Sequence, residues 1–109
     1  MKEWMFELNS LDEFKELKQK DNITIFTFSA PWCPDCRYLD GFIQELIDKY
    51  DQYNFVYIDR DRFIEVCKEL EVMGIPSFVA YKNNQEIGRF VSKMRKTKDE
   101  IDEFLGELR

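Results

Sequence analysis

Histidine is absent from this chain of 109 residues, and cysteine occurs only three times. With no histidine and a single C-x-x-C, four protein ligands for zinc or an iron–sulfur cluster cannot be assembled within one subunit in the usual way. No metal and no cofactor is therefore expected, a cluster shared between subunits being the remote exception. Three cysteines, of which only Cys33 and Cys36 are closely spaced, do not make a disulfide framework. No apolar run approaches the roughly 20 residues that a membrane helix needs. The opening Met1-Lys2-Glu3-Trp4-Met5-Phe6-Glu7 has neither the basic nor the apolar stretch of a secretory signal. Repeats, low-complexity tracts and linker composition are missing too, so a single domain over residues 1–109 is expected. A net charge of −6 disfavours nonspecific binding to nucleic acid. These absences point to a cytoplasmic monomer that binds neither membrane nor nucleic acid. In a reducing cytosol a C-x-x-C is more often catalytic than structural.

What is present is an apolar fraction of 44%, with 16% aromatic residues, enough for a core without covalent staples. One pentapeptide stands out, Trp32-Cys33-Pro34-Asp35-Cys36. The apolar run Ile25-Phe26-Thr27-Phe28-Ser29 before it reads as a strand. Tyr38, Leu39, Phe42, Ile43, Leu46, Ile47 and Tyr50 after it read as the inner face of a helix. A C-x-x-C at a strand-to-helix junction places the first thiol at a helix N-terminus, where the local dipole favours thiolate over thiol. A thiolate is the nucleophile of thiol–disulfide exchange. The competing reading is a pair of buried or metal-binding cysteines.

The rest of the chain alternates. Trp4 to Leu8 reads as a short strand, and Ser10-Leu11-Asp12-Glu13 as a capping box opening a helix with Leu11, Phe14 and Leu17 inward. Ile23 to Phe28 is a strand buried on both faces, and a helix runs from about Pro34 to Tyr50. Asn54 to Asp59 is the next strand, followed by a helix from about Arg62 to Leu70. After the break Gly74-Ile75-Pro76 come a strand at Ser77 to Lys82, a turn at Asn83-Asn84 and a returning strand at Glu86 to Val91. Thr97-Lys98-Asp99-Glu100 caps a last helix whose Ile101, Phe104, Leu105 and Leu108 share one face. The order predicts an α/β fold, a central mixed sheet flanked by helices on both faces.

Trp32-Cys33 with Cys36, Ile58-Asp59 closing the third strand, and Gly74-Ile75-Pro76 together resemble the thioredoxin family over essentially the whole chain. The dipeptide Pro34-Asp35 resembles the branch that carries W-C-P-D-C. The resemblance implies a thioredoxin-like fold and a thiol–disulfide oxidoreductase in which Cys33 attacks and Cys36 resolves. Trp32 would shield the thiols, and Pro76 would be cis and lie against them. Ile75 and Pro76 would hold an extended substrate segment, with Trp32 and Pro34 beside it. It implies partners too: disulfide-containing proteins or small-molecule disulfides, and a thioredoxin-reductase-like flavoprotein or a thiol pool for recycling. The Cys33 thiol is expected to ionise near the family's value of about 7, below the ~8.5 of a free thiol. A rival from another class is a redox-independent binding module with the same fold.

Several positions depart from the family. Thr27 stands six residues before Cys33, where a buried aspartate is usual, and Phe55 stands where a lysine faces it. Asp35 is the candidate to take the Cys36 proton instead, the plainer reading being a first-turn helix preference. Gly41 replaces a kinking proline and Ser92 a glycine. From Lys82 to Lys98 six basic residues meet one acidic residue, Glu86. Lys93 and Arg95 in that segment would attract anionic disulfides, or else form an ordinary solvated face. Cys67 lies on an apolar stripe and reads as a small core hydrophobe, a regulatory thiol being the minor alternative.

Overall fold

Burial on both sides dictates the central strand. In the computed structural model, which describes residues 1–108, every residue of β2 (Thr24–Ser29) is buried. Its Ile25, Phe26 and Phe28 are the near-continuous apolar run that a doubly covered strand requires. β2 pairs in parallel with β3 (Asn54–Asp59) and antiparallel with β4 (Ser77–Lys82). Outside them lie β1 (Phe6–Glu7), parallel to β3, and β5 (Gln85–Phe90), antiparallel to β4, giving the order β1-β3-β2-β4-β5.

One face of the sheet is covered by α2 (Pro34–Tyr38), α3 (Ile43–Lys49) and α5 (Lys98–Gly106), with Leu39 just after α2 and Ile43, Leu46, Ile101 and Leu105 inward. The opposite face is covered by α1 (Leu11–Lys18) and α4 (Ile64–Leu70), through Phe14, Val66 and Cys67. Cys67 is thus in the core, and burial pushes its thiol pKa up. The helix starts follow from capping. Thr97 Oγ1 accepts from the Glu100 N–H at 3.2 Å while Glu100 accepts from the Thr97 N–H at 2.9 Å, a complete box. Ser10 makes only half of one, because the Glu13 carboxylate reaches past it to the Asn9 N–H at 2.7 Å. Asn83 and Asn84 take the two positive φ values, 52° and 65°, that the tight hairpin between β4 and β5 demands.

Three elements differ from expectation. On α1 Leu11, read as facing inward, is exposed and Phe14 alone is buried. The first strand shrinks to Phe6–Glu7 behind a 3₁₀ turn at Lys2–Trp4, a short edge of the kind that resists further pairing. The helix expected from Pro34 to Tyr50 is three pieces: α2, a 3₁₀ turn at Leu39–Gly41, and α3. Gly41 is a weak helix former and Phe42, with φ at −147°, leaves the helical region. The Phe42 ring then packs edge-on against Tyr38, with centroids 5.6 Å apart.

The end of α3 is tied to α5. Tyr50 donates its hydroxyl to Asp102 Oδ1 at 2.5 Å, and Lys49 pairs with the same carboxylate at 2.8 Å. Burial, then Asp102, push the Tyr50 phenol up to about 12. The unfolded chain would lose that proton near pH 10, so this tie stabilises the fold below pH 10 and is lost as pH rises through 12. Tyr50→Phe is expected to flatten that part of the stability profile, seen as a smaller drop in urea midpoint between pH 9 and pH 11.

Candidate active site

The site lies where β2 ends. Ala30-Pro31-Trp32 carries the chain off the sheet, and Cys33 becomes the N-cap of α2, with φ −81° and ψ 113°. Pro34 occupies the first turn, where its missing N–H costs nothing and its fixed φ suits the helix. Cys33 and Cys36 are joined as a disulfide, with Cα atoms 5.2 Å apart. Cys33 Sγ accepts the backbone N–H of Cys36 at 3.2 Å. α2 has only five residues, so stabilisation of a thiolate at Cys33 rests on that local N–H rather than on a long helix dipole.

Cys33 is more enclosed than the sequence suggests, at 4% exposure, and Cys36 keeps 1%. The surroundings account for this. The Ile75 carbonyl oxygen lies 4.0 Å from Cys33 Sγ, and the Ile75–Pro76 peptide is cis, as the family resemblance implied. On the outside stands Trp32, 54% exposed. Its Nε1–H donates to Asp61 Oδ2 at 2.6 Å, and the Arg60 guanidinium lies 5.2 Å from the ring centroid. Asp61 also pairs with Arg60 at 3.0 Å, and its carboxyl pKa is lowered, first by the Trp32 bond and then by Arg60. Asp61 and Arg60 were not singled out from the sequence. Their position just after β3, level with the end of β2 in a parallel pair, is the signal that places them there.

The basic segment does border the site. Arg95 Nε donates to Asp35 Oδ1 at 3.0 Å, across 60 residues of chain. The same guanidinium lies 4.4 Å above the ring of Tyr38. Lys93 is exposed. Lys96, by contrast, is buried at 1% exposure, and burial lowers its pKa. Its ammonium donates to the Ser92 carbonyl at 3.1 Å and to the Met94 carbonyl at 3.0 Å. Ser92 Oγ accepts the Met94 N–H at 3.3 Å, a local turn that the serine itself supplies. Gly74 completes the arrangement. A Cβ there would lie 2.6 Å from the Ser92 carbonyl carbon and 2.8 Å from Lys93 Cα, so only glycine lets the two loops meet.

The two positions at which the resemblance implies a charged pair hold uncharged residues, Thr27 and Phe55. Thr27 is fully buried between Tyr57 and Phe78, and its hydroxyl oxygen makes no hydrogen bond among the described residues. Phe55 is buried as well. Beside Cys36 a cavity of about 200 Å³ is lined by Ser29, Ala30, Cys36, Asp40 and Tyr57. Among the described residues no group of three or more cysteine or acidic side chains is arranged to hold a metal ion.

Comparison with known proteins agrees with this geometry. A family model described as Thioredoxin matches residues 6–107. Thioredoxin H2 of Arabidopsis thaliana is 34% identical over 96 residues, covering 88% of this chain and 70% of its own. Thioredoxin of Callithrix jacchus is 31% identical over 102 residues, covering 91% of this chain and 97% of its own. Among solved structures, the oxidised form of mitochondrial thioredoxin 3 from Saccharomyces cerevisiae superposes with a TM-score of 0.74 at 31% identity, over 84% of this chain and 86% of that one. The match runs from the first strand into the last helix and takes in both cysteines, so the chain belongs to the thioredoxin family and is a thiol–disulfide oxidoreductase.

Proposed function

We propose that this oxidoreductase works as a cytosolic reductant, a monomer acting on disulfides of proteins or of low-molecular-weight thiols. The observation that supports it most is Cys33 Sγ, which receives the Cys36 N–H and lies against the Ile75 carbonyl. In the reduced protein the Cys33 thiolate attacks one sulfur of a substrate disulfide. A Cys33–substrate bond forms, the substrate S–S bond breaks, and one substrate thiolate leaves. Cys36 then attacks Cys33 Sγ, releasing the second substrate thiolate and closing the Cys33–Cys36 bond. Two electrons have passed from the dithiol to the substrate. A thioredoxin-reductase-like flavoprotein or a thiol pool returns them, since oxidised Cys33–Cys36 needs an external two-electron donor to become a dithiol again.

Substrate contact falls to the surface around Cys33. Trp32 and Pro34 form one side, while Ile75 and Pro76, just ahead of β4, offer main chain to an extended segment. Cys36 must lose its proton as it attacks, and Asp35 takes it, directly or through water. Lys93 and Arg95 draw anionic disulfides towards the site. Arg95 is already engaged with Asp35, so Lys93 is the cation whose reversal isolates this effect. Lys93→Glu is expected to lower kcat/KM for a carboxylate-bearing disulfide about threefold at low salt, through slower association. A neutral disulfide should be unaffected, and high salt should erase the difference.

Equilibration of the protein with glutathione redox buffers tests the direction of electron flow. A reductant is expected to have a potential at or below about −220 mV, whereas a value near −120 mV would mark a dedicated oxidant and overturn the reading.

A further inference from the structure

Asp35 and Arg95 come from different elements, and the side chain that joins them is not a loose surface arginine. Arg95 Nε donates to Asp35 Oδ1 at 3.0 Å while the guanidinium carbon lies 4.4 Å from the centroid of Tyr38. Tyr38 follows Asp35 by three residues on α2, so carboxylate and ring lie on one face and receive the same guanidinium. The backbone that launches Arg95 is held from both sides. Lys96 gathers the Ser92 and Met94 carbonyls, and Gly74 lets Ser92 and Lys93 pack against the loop before Pro76. An exposed ion pair of this kind adds little to stability. Its place, between the two cysteines and the loop beside them, matters more than its strength.

We propose that Arg95 is a positioning residue of the redox centre: by holding Asp35 in an ion pair it cancels that carboxylate's charge beside Cys33 and so sets how readily Cys33 forms the attacking thiolate. The inference rests on Cys33 being the nucleophile. Alone, Asp35 two residues away opposes ionisation of Cys33. With Arg95 seated on it, the pair is neutral overall and the Cys36 N–H is left to act. Other charges at this end of the sheet are Arg37 on α2, Lys93 and Lys96 on the loop, and Arg60 with Asp61 behind Trp32; Asp59 ends β3, and Asp40, in the cavity beside Cys36, is held by the Met1 ammonium at 2.8 Å. Arg60 and Asp61 neutralise each other at 3.0 Å. Lys96 feels Asp35 as well, an attraction that works against the effect of its burial. Arg95 is the cation that touches Asp35 itself.

The consequence has a sign. Loss of Arg95 destabilises the thiolate of the reduced protein, so the thiol holds its proton longer and the pair becomes more reducing. Asp35 is what keeps the guanidinium in place. Without the carboxylate the arginine relaxes into solvent and its charge is screened. The effect of Arg95 therefore depends on Asp35, which a double-mutant cycle can detect.

The test is thiolate absorbance against pH in Cys36→Ser protein, where Cys33 titrates and buried Cys67 stays protonated through the range. Arg95→Gln is expected to raise the Cys33 midpoint by about half a unit, a roughly twofold smaller thiolate fraction at pH 7 for a midpoint that starts near 7. In an Asp35→Asn background the same substitution is expected to shift it by less than about 0.2 units. Arg95→Lys, which keeps the charge but not the planar fork on Tyr38, should recover part of the loss. Equal shifts in both backgrounds would make Arg95 an independent surface charge and overturn the proposal, as would no shift in either. A Cys33 that does not titrate at all would instead defeat the assignment of the nucleophile, a distinguishable result.

Discussion

Cys33→Ser is expected to remove turnover, by at least about a thousandfold in kcat/KM, whereas Cys36→Ser is expected to stop the protein after one event with substrate bound. The difference follows from what each sulfur does at this helix mouth. Serine at position 33 would receive the same Cys36 N–H but would remain a protonated alcohol, a poor nucleophile towards sulfur. Serine at position 36 leaves the attacking thiolate intact, so the first exchange proceeds and the mixed disulfide persists. Product release in a burst of one substrate thiol per protein, with the adduct seen by intact mass, checks the second claim. If the adduct formed in Cys36→Ser resolved as fast as in the unmodified protein, Cys36 would not be the resolving group. A redox-independent binding module predicts a different result, since Cys33→Ser would then retain full activity in cells.

Much of this was legible in the residues because local chemistry and tertiary structure agree. β3 and β4 begin and end where the apolar runs do, and Thr97 caps α5 as its box predicts. Cys33, Cys36 and Pro76 come together because a strand-to-helix turn and a loop ahead of β4 are brought side by side by the β2–β4 pairing. The break between α2 and α3 was only half legible: Gly41 permits a bend without forcing one, and Leu39, Phe42, Ile43 and Leu46 keep a helical spacing across it. The φ of Phe42 is a tertiary outcome. Nor was the partner of Asp35 legible. Arg95 could be placed near the site by topology, but only packing decides that its Nε meets that carboxylate and its face meets Tyr38. Lys96 misled in a different way. A lysine between Arg95 and Thr97 reads as part of a solvated basic face, yet it is buried because two backbone carbonyls of its own loop turn inward and need donors.

The loop that carries these groups makes Gly74→Ala the substitution with the largest expected effect outside the cysteines. The atoms a methyl group would meet are the Ser92 carbonyl and Lys93 Cα, all backbone, so no rotamer change can relieve the overlap. The two loops must separate. Overpacking of this kind costs about 1–3 kcal/mol, and each kcal/mol lowers Tm by about 4 °C or more in a domain near this size. Separation would also draw Arg95 off Asp35 and shift the Ile75 carbonyl relative to Cys33, so kcat/KM should fall by about tenfold as well. Gly41→Ala supplies the control, because nothing lies within 4 Å of a Cβ at that position. There the lost backbone freedom of the unfolded chain should leave stability unchanged or raise it by up to about 1 kcal/mol. Differential scanning calorimetry of the two variants, with disulfide reduction measured on the same samples, decides the matter. Equal melting temperatures would mean that Gly74 is no more constrained than Gly41, and that the contact between the two loops does not hold the site together.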